Sequence, residues 1–172
     1  MKVPLLDLKQ QYNALKPELD AALIKVAESQ MFILGKEVED FEAECSAYLG
    51  VKYSYGVSSG TDALLLALMA CDIKAGDEVI VPSYSFFATA GAVSRLNAVP
   101  VFVDSDPVTF NIDATKIREK ITSKTKAIIP VHLYGQSSDM NTIMEVAREF
   151  DLRVIEDGAQ AISSQYSDGR CA

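Results

Sequence analysis

The sequence predicts an α/β fold: a mainly parallel sheet covered by helices, with a helical segment ahead of it. Three features carry that expectation. Short, almost wholly apolar runs recur at residues 78–81, 99–103, 127–131 and 152–155. Segments with helical spacing separate them, and the first fifty residues show a period near 3.6 with no strand signal. Strands apolar on both faces are those that helices cover from both sides, which is the parallel arrangement.

Taken in order, Leu15, Leu19, Leu23 and Val26 mark a first amphipathic helix, and Val38, Phe41, Cys45 and Tyr48 a second. Between them the run Met-Phe-Ile-Leu-Gly at 31–35 reads either as a turn with a buried contact or as a loop facing a site. Residues 53–57 read as a strand, followed by Ser58-Ser59-Gly60-Thr61 and a helix reaching Ala70. The strand at 78–81 leads into Pro-Ser-Tyr-Ser-Phe-Phe and a helical segment at 88–96. The strand at 99–103 ends in Asp104, and Asp113 is placed to cap a short helix reaching Ile121. After the strand at 127–131, Ser138 or Asp139 caps a helix to Phe150. The strand at 152–155 ends in Glu156-Asp157, and residues 163–166 with Asp168-Gly169 suggest a strand entering a hairpin turn. This divides the chain into a helical segment at 1–50 and part of a larger α/β domain at 51–172.

Composition narrows the function. A formal net charge of −8 disfavours a nucleic-acid backbone or an anionic membrane as partner. The three cysteines (Cys45, Cys71 and Cys171) form no CxxC pair, and the single histidine, His132, has no thiol beside it in sequence. A zinc site or disulfide framework is therefore not expected, and a reducing, cytoplasmic setting is. The apolar run at 63–70 is far below the roughly 20 residues that span a bilayer.

In an open α/β sheet, ligands gather beyond the carboxyl ends of the strands. Four such positions carry informative side chains. Ser58-Ser59-Gly60-Thr61 opens a helix with small and hydroxyl residues, as a phosphate site requires, although this is also an ordinary helix start. It is neither a Walker loop nor a GxGxxG fingerprint. Phe86 follows the second predicted strand, where an aromatic can lie against a planar ring or pack beneath a loop. His132 lacks a Ser–His–Asp or Cys–His pairing and reads more naturally as a packed residue. Asp157 ends a buried strand, where a carboxylate needs a cation or donors to meet it, or caps the next turn. Alternation puts Glu156 on the opposite face, so the two acids should not act as a pair. Together the signals supply a phosphate cradle, a ring-stacking aromatic and a carboxylate for a ring nitrogen, the three handles of pyridoxal 5'-phosphate.

The segments PLLDLKQQY, FILGKEVEDFE, SSGTDALLLAL, GDEVIVPSYSFFATA, PVFVDSDPVTFNID, TKAIIPVHLYGQSSDM and VIEDGAQA, in that order, resemble the DegT/DnrJ-type aminotransferases of nucleotide-linked keto-sugars. The resemblance implies the large domain of the type I pyridoxal-phosphate fold and a homodimer with active sites shared between subunits. It implies phosphate contacts from Gly60 and Thr61 with Ser59 just before them, an aromatic over the ring at Phe86, a ring-nitrogen acid at Asp157, and Gln160 near the phenolic oxygen. It further implies transfer of an amino group, usually from glutamate, to a keto-sugar in amino-sugar or cell-surface polysaccharide synthesis.

The family's Schiff-base lysine is expected beyond Ala172, and no lysine in the chain stands at a matching position. The 172-residue chain by itself is therefore expected not to transaminate, and steady turnover by it would refute that expectation. Three alternatives remain at this level. Some relatives are sugar dehydratases with histidine in place of the lysine. Another type I enzyme, such as a cysteine desulfurase, fits the LLDL and FILG blocks poorly. A non-catalytic regulatory or binding module is the third.

Overall fold

The computed structural model describes residues 3, 4 and 6–166. The chain divides into two compact units, one up to Gly56 and one from Val57 onward.

The first unit contains α1 (Lys9–Ser29) and α2 (Lys36–Leu49). The predicted spacing produces both helices, and Lys25 pairs with Glu37 at 3.1 Å between them. Neither helix buries a residue fully. The 31–35 run carries Met31, Phe32, Ile33 and Leu34 exposed, so the reading of a turn with a buried contact is not met in this unit. Only Gly35 is buried, at the N-cap of α2. The strand expected at 53–57 is absent. A strand exists only where a neighbour completes its ladder, and no described residue does so here. Tyr53 and Tyr55 instead lie exposed with their rings stacked 6.4 Å apart.

The second unit is the sheet. Its elements are α3 (Gly60–Ala70), β1 (Glu78–Pro82), α4 (Ala88–Arg95), β2 (Val99–Val103), β3 (Thr125–Ile128), α5 (Met140–Glu149) and β4 (Arg153–Val154). The four strands lie in the order β2-β1-β3-β4 and every pairing is parallel. Period-2 alternation sends neighbouring side chains to opposite faces. Val79, Val81, Ala127 and Ile129 join Leu64 and Leu68 of α3 and Ala92 and Val93 of α4 in one core. Ile80, Ile128 and Val103 join Ile117 and the α5 residues Ile143 and Val146 in the other. The apolar strands and the two-sided cover explain each other. Among the described residues no helix is long and apolar enough to cross a membrane.

Two further expectations are corrected. Asp113 does act as a cap, accepting from the Thr115 N–H at 3.1 Å. The segment it starts, however, is a pair of 3₁₀ turns (Ala114–Lys116 and Arg118–Lys120), not a helix running to Ile121. Seven or so residues cannot repay α-helix nucleation, and tight i→i+3 turns are what such pieces form. Among the described residues, 163–166 form no continuous strand, and only Gln165 stands at a bridge position. Ser163 sits at φ 75°, in the left-handed region, which breaks the extended run. Asp168-Gly169 lies outside the described residues.

The sheet order fixes where a ligand can sit. From β1 the chain moves outward to β2, then returns to the other side of β1 as β3. The connections leaving β1 and β3 pass over opposite faces, through α4 and α5. That reversal opens a crevice at the carboxyl ends of β1 and β3.

Candidate functional site

A cavity of about 200 Å³ occupies that crevice. Gly60 and Thr61 come from the start of α3, Ser85 and Phe86 from the turn after β1, and Asp157 and Gln160 from the segment after β4. Five of the six residues singled out from the sequence thus share one cavity, and Val131 and Leu133 supply part of its apolar wall.

Ser59, the sixth, is outside the lining and caps α3. Its Oγ accepts from the Asp62 N–H at 3.1 Å, and its carbonyl accepts from the Ala63 N–H at 2.9 Å. Among the described residues, the N–H groups of Gly60 and Thr61 then have no protein acceptor. A side chain at Gly60 would meet nothing within 4 Å, so the space above it is open. Two free N–H groups with the positive end of an eleven-residue helix form a ready site for a dianion. Ser59→Ala should destabilise the chain by about 1 kcal/mol through loss of the cap, as a denaturant titration would measure.

Asp62 reinforces this helix start. Hydrogen bonds from the Ser58 hydroxyl at 2.5 Å and the Ser59 hydroxyl at 3.2 Å, with Arg95 at 3.8 Å, hold its carboxyl below the ordinary aspartate range. A lowered folded-state value means the contribution is present above the ordinary aspartate value and is lost as pH falls through the lowered one. Amide protection factors in α3, corrected for intrinsic exchange, should therefore fall on acidification through that window, and Asp62→Asn should flatten the response. A response unchanged in Asp62→Asn would contradict the assignment.

Asp157 is fixed from both sides. Its N–H donates to the Pro130 carbonyl at 2.9 Å and its carbonyl accepts from the His132 N–H at 3.0 Å, making a parallel bridge beyond β3. Its Oδ1 accepts from the Ala159 N–H at 3.2 Å, and its Oδ2 from the Thr89 hydroxyl at 3.4 Å. The carboxylate thus keeps acceptor capacity toward the cavity. Glu156 turns to the other face, where it meets His132 Nε2 at 3.0 Å and Tyr166. The two acids are separate, as alternation requires.

His132 is fully buried. The Ser138 N–H donates to its Nδ1 at 3.1 Å, so the ring proton sits on Nε2 and points to Glu156. The ring ties the end of β3 to the loop before α5 and does not line the cavity. This is the packed histidine that its lack of partners in sequence suggested.

Gln160 is oriented by a bond not visible in the sequence. Its Oε1 accepts from the Tyr134 N–H at 2.7 Å, which leaves its amide N–H groups to donate. Phe86 is 74% exposed at the cavity, so its ring is not part of the core and can cover a flat ligand. Outside the lining, the Tyr84 and Tyr134 hydroxyls lie 2.9 Å apart, and the ring of Phe110 packs against both. The Tyr84 hydrogen bond raises the Tyr134 phenol above its ordinary range.

Sequence reasoning missed Ser85 and Thr89. The available signal was a hydroxyl pair at i and i+4, one member standing among small residues in Ala-Thr-Ala-Gly-Ala. The donor set suits a group carrying an anion at one end, an acceptor oxygen beside a flat ring, and a cationic ring atom. Free N–H groups meet the first, the Gln160 amide the second, and the Asp157 carboxylate the third.

Residues 13–172 match the DegT/DnrJ/EryC1/StrS aminotransferase family. The chain is 52% identical over 99% of its length to a pleiotropic regulatory protein of Geobacillus stearothermophilus. It is 50% identical over 98% of its length to a dTDP-3-amino-3,6-dideoxy-alpha-D-galactopyranose transaminase of Aneurinibacillus thermoaerophilus. It spans 46% of the length of each. A crystal structure of NtdA from Bacillus subtilis with bound cofactor PMP superposes with a TM-score of 0.90 at 44% identity, over 94% of this chain and 37% of that one.

Proposed function

The chain belongs to the DegT/DnrJ/EryC1/StrS aminotransferase family, and on that premise we propose that its strand-end cavity holds pyridoxal 5'-phosphate for amino transfer to a nucleotide-linked keto-sugar. The observation that carries the reading is the meeting of Gly60, Thr61, Phe86, Asp157 and Gln160 in one cavity at the sheet's switch point.

Each residue then has a physical role. The N–H groups of Gly60 and Thr61 hold the phosphate at the positive end of α3, with Ser59 keeping that end open by capping it. Phe86 covers the ring and limits the access of water to its face. The Gln160 amide donates to the phenolic oxygen. Asp157 holds a proton on the ring nitrogen, an arrangement that a half-buried carboxylate with free acceptor capacity favours. When bound, the cofactor supplies an electron sink for carbanion chemistry. Glutamate as donor, a keto-sugar on a dTDP, UDP or GDP carrier as acceptor, a homodimeric assembly and a cytoplasmic setting complete the proposal.

The test is direct. The protein should bind pyridoxamine 5'-phosphate saturably, and the complete enzyme should turn glutamate over beyond one equivalent per site only when a nucleotide-linked keto-sugar is present. Absence of cofactor binding would refute the reading of the cavity. The Geobacillus relative's name favours a second reading, a regulatory protein on the same fold. Cofactor binding with no turnover on any such sugar would favour it.

A further inference from the structure

We propose that Thr89 is a positioning residue for Asp157, the inner link of a hydroxyl relay that runs from Ser85 at the cavity wall to the far oxygen of that carboxylate; this rests on the cofactor reading above.

Thr89 lies in the first turn of α4 and is only 2% exposed. It does not line the cavity, so it meets Asp157 from behind. Its hydroxyl has two partners: Ser85 Oγ at 3.0 Å and Asp157 Oδ2 at 3.4 Å. A buried threonine in a helix ordinarily donates to the carbonyl one turn back. Here the side chain engages the hydroxyl one turn back and an acid 68 positions away in sequence. An ionised carboxylate only accepts, so the Thr89 proton goes to Asp157 and the Ser85 proton goes to Thr89. The direction of both bonds is thereby fixed, and each polarises the other.

The Ala159 N–H holds Oδ1, and Thr89 holds Oδ2. With one donor on each oxygen the carboxylate cannot swing about its own axis without losing a bond. Its remaining lone pairs stay aimed at the cavity, where the ring nitrogen would sit. Removing the Thr89 hydroxyl should leave Asp157 in place on its backbone bridge and loosen only its side chain.

The effect should appear only for a ligand with a ring nitrogen. Binding of pyridoxamine 5'-phosphate, and of its analogue with CH in place of that nitrogen, should be measured for the wild type, Thr89→Val and Thr89→Ser. Thr89→Val should weaken pyridoxamine phosphate about tenfold and leave the analogue within about twofold. Thr89→Ser, which restores a hydroxyl, should match the wild type for both. Should Thr89→Val fail to fold, Thr89→Ala gives the same contrast without misplacing bulk. Equal losses for both ligands would mark a merely structural role, and no loss for either would remove the relay; each result overturns the proposal. A wild-type protein that binds neither ligand would instead overturn the cofactor reading itself, and this inference with it.

Discussion

Asp157→Ala is expected to lower the turnover of the complete enzyme by a factor on the order of 10²–10³ while leaving the fold intact. The size follows from what the carboxylate does. Among the described residues it is the one acid in the cavity lining, and on the cofactor reading no other side chain there would hold a proton on the ring nitrogen. The fold should survive because the backbone of Asp157, and not its side chain, makes the bridge to Val131. Among the described residues the side chain accepts only from Ala159 and Thr89, so its loss should cost on the order of 1 kcal/mol. Steady-state kinetics with a thermal melt on the same sample check both halves. Near-normal turnover would remove Asp157 from the mechanism, and a collapsed melt would show that the acid is structural.

The largest stability effect should come from the centre of the sheet. Ile80 is fully buried, on strand β1 between β2 and β3, with Val101 and Ile128 at its register positions. Its side chain belongs to the core that also holds Ile117, Ile143 and Val146. Ile80→Ala removes methyl and methylene groups from a place closed by two strands and a helix, where collapse is difficult. A loss of about 2–5 kcal/mol in a urea titration is expected. Lys126→Ala, on the neighbouring strand but exposed, should stay within about 0.5 kcal/mol. Similar losses for the two would mean that the core is not where the burial places it.

Much of this was legible in the residues because it is local. The apolar runs that became β1, β2 and β3 carry their own evidence of two-sided cover. Asp113 was readable as a cap, and Asp139 as one of two candidates with Ser138, because a cap needs only the next three residues. Strand-end positions are where an α/β sheet keeps its ligands, so Thr61, Phe86 and Asp157 could be picked out before any coordinate was known. Their proposed roles as cofactor contacts rest on the family resemblance, and the cavity adds that they stand together.

What escaped depends on distant partners. Residues 53–57 have strand chemistry, but pairing is a property of two segments, and among the described residues no second segment pairs with this one. Asp113 signalled a start without signalling how short the helix would be. Thr89 and Asp157 meet across 68 positions through the packing of α4 on the sheet, and nothing in Ala-Thr-Ala-Gly announces that contact. The orientation of Gln160 by the Tyr134 N–H is of the same kind, since Tyr134 sits at φ 57°, in the left-handed region. A conformation that a bulky residue adopts at some cost is set by its surroundings and not by its own preference.

The central claim is that the strand-end cavity binds pyridoxal phosphate in one orientation, and a crystal structure of the protein with pyridoxamine 5'-phosphate tests it most directly. The phosphate should lie on the N–H groups of Gly60 and Thr61, and the ring nitrogen should lie within hydrogen-bond reach of the Asp157 carboxylate. A ligand bound elsewhere, or bound here with its phosphate away from α3 and its nitrogen away from Asp157, would contradict the account.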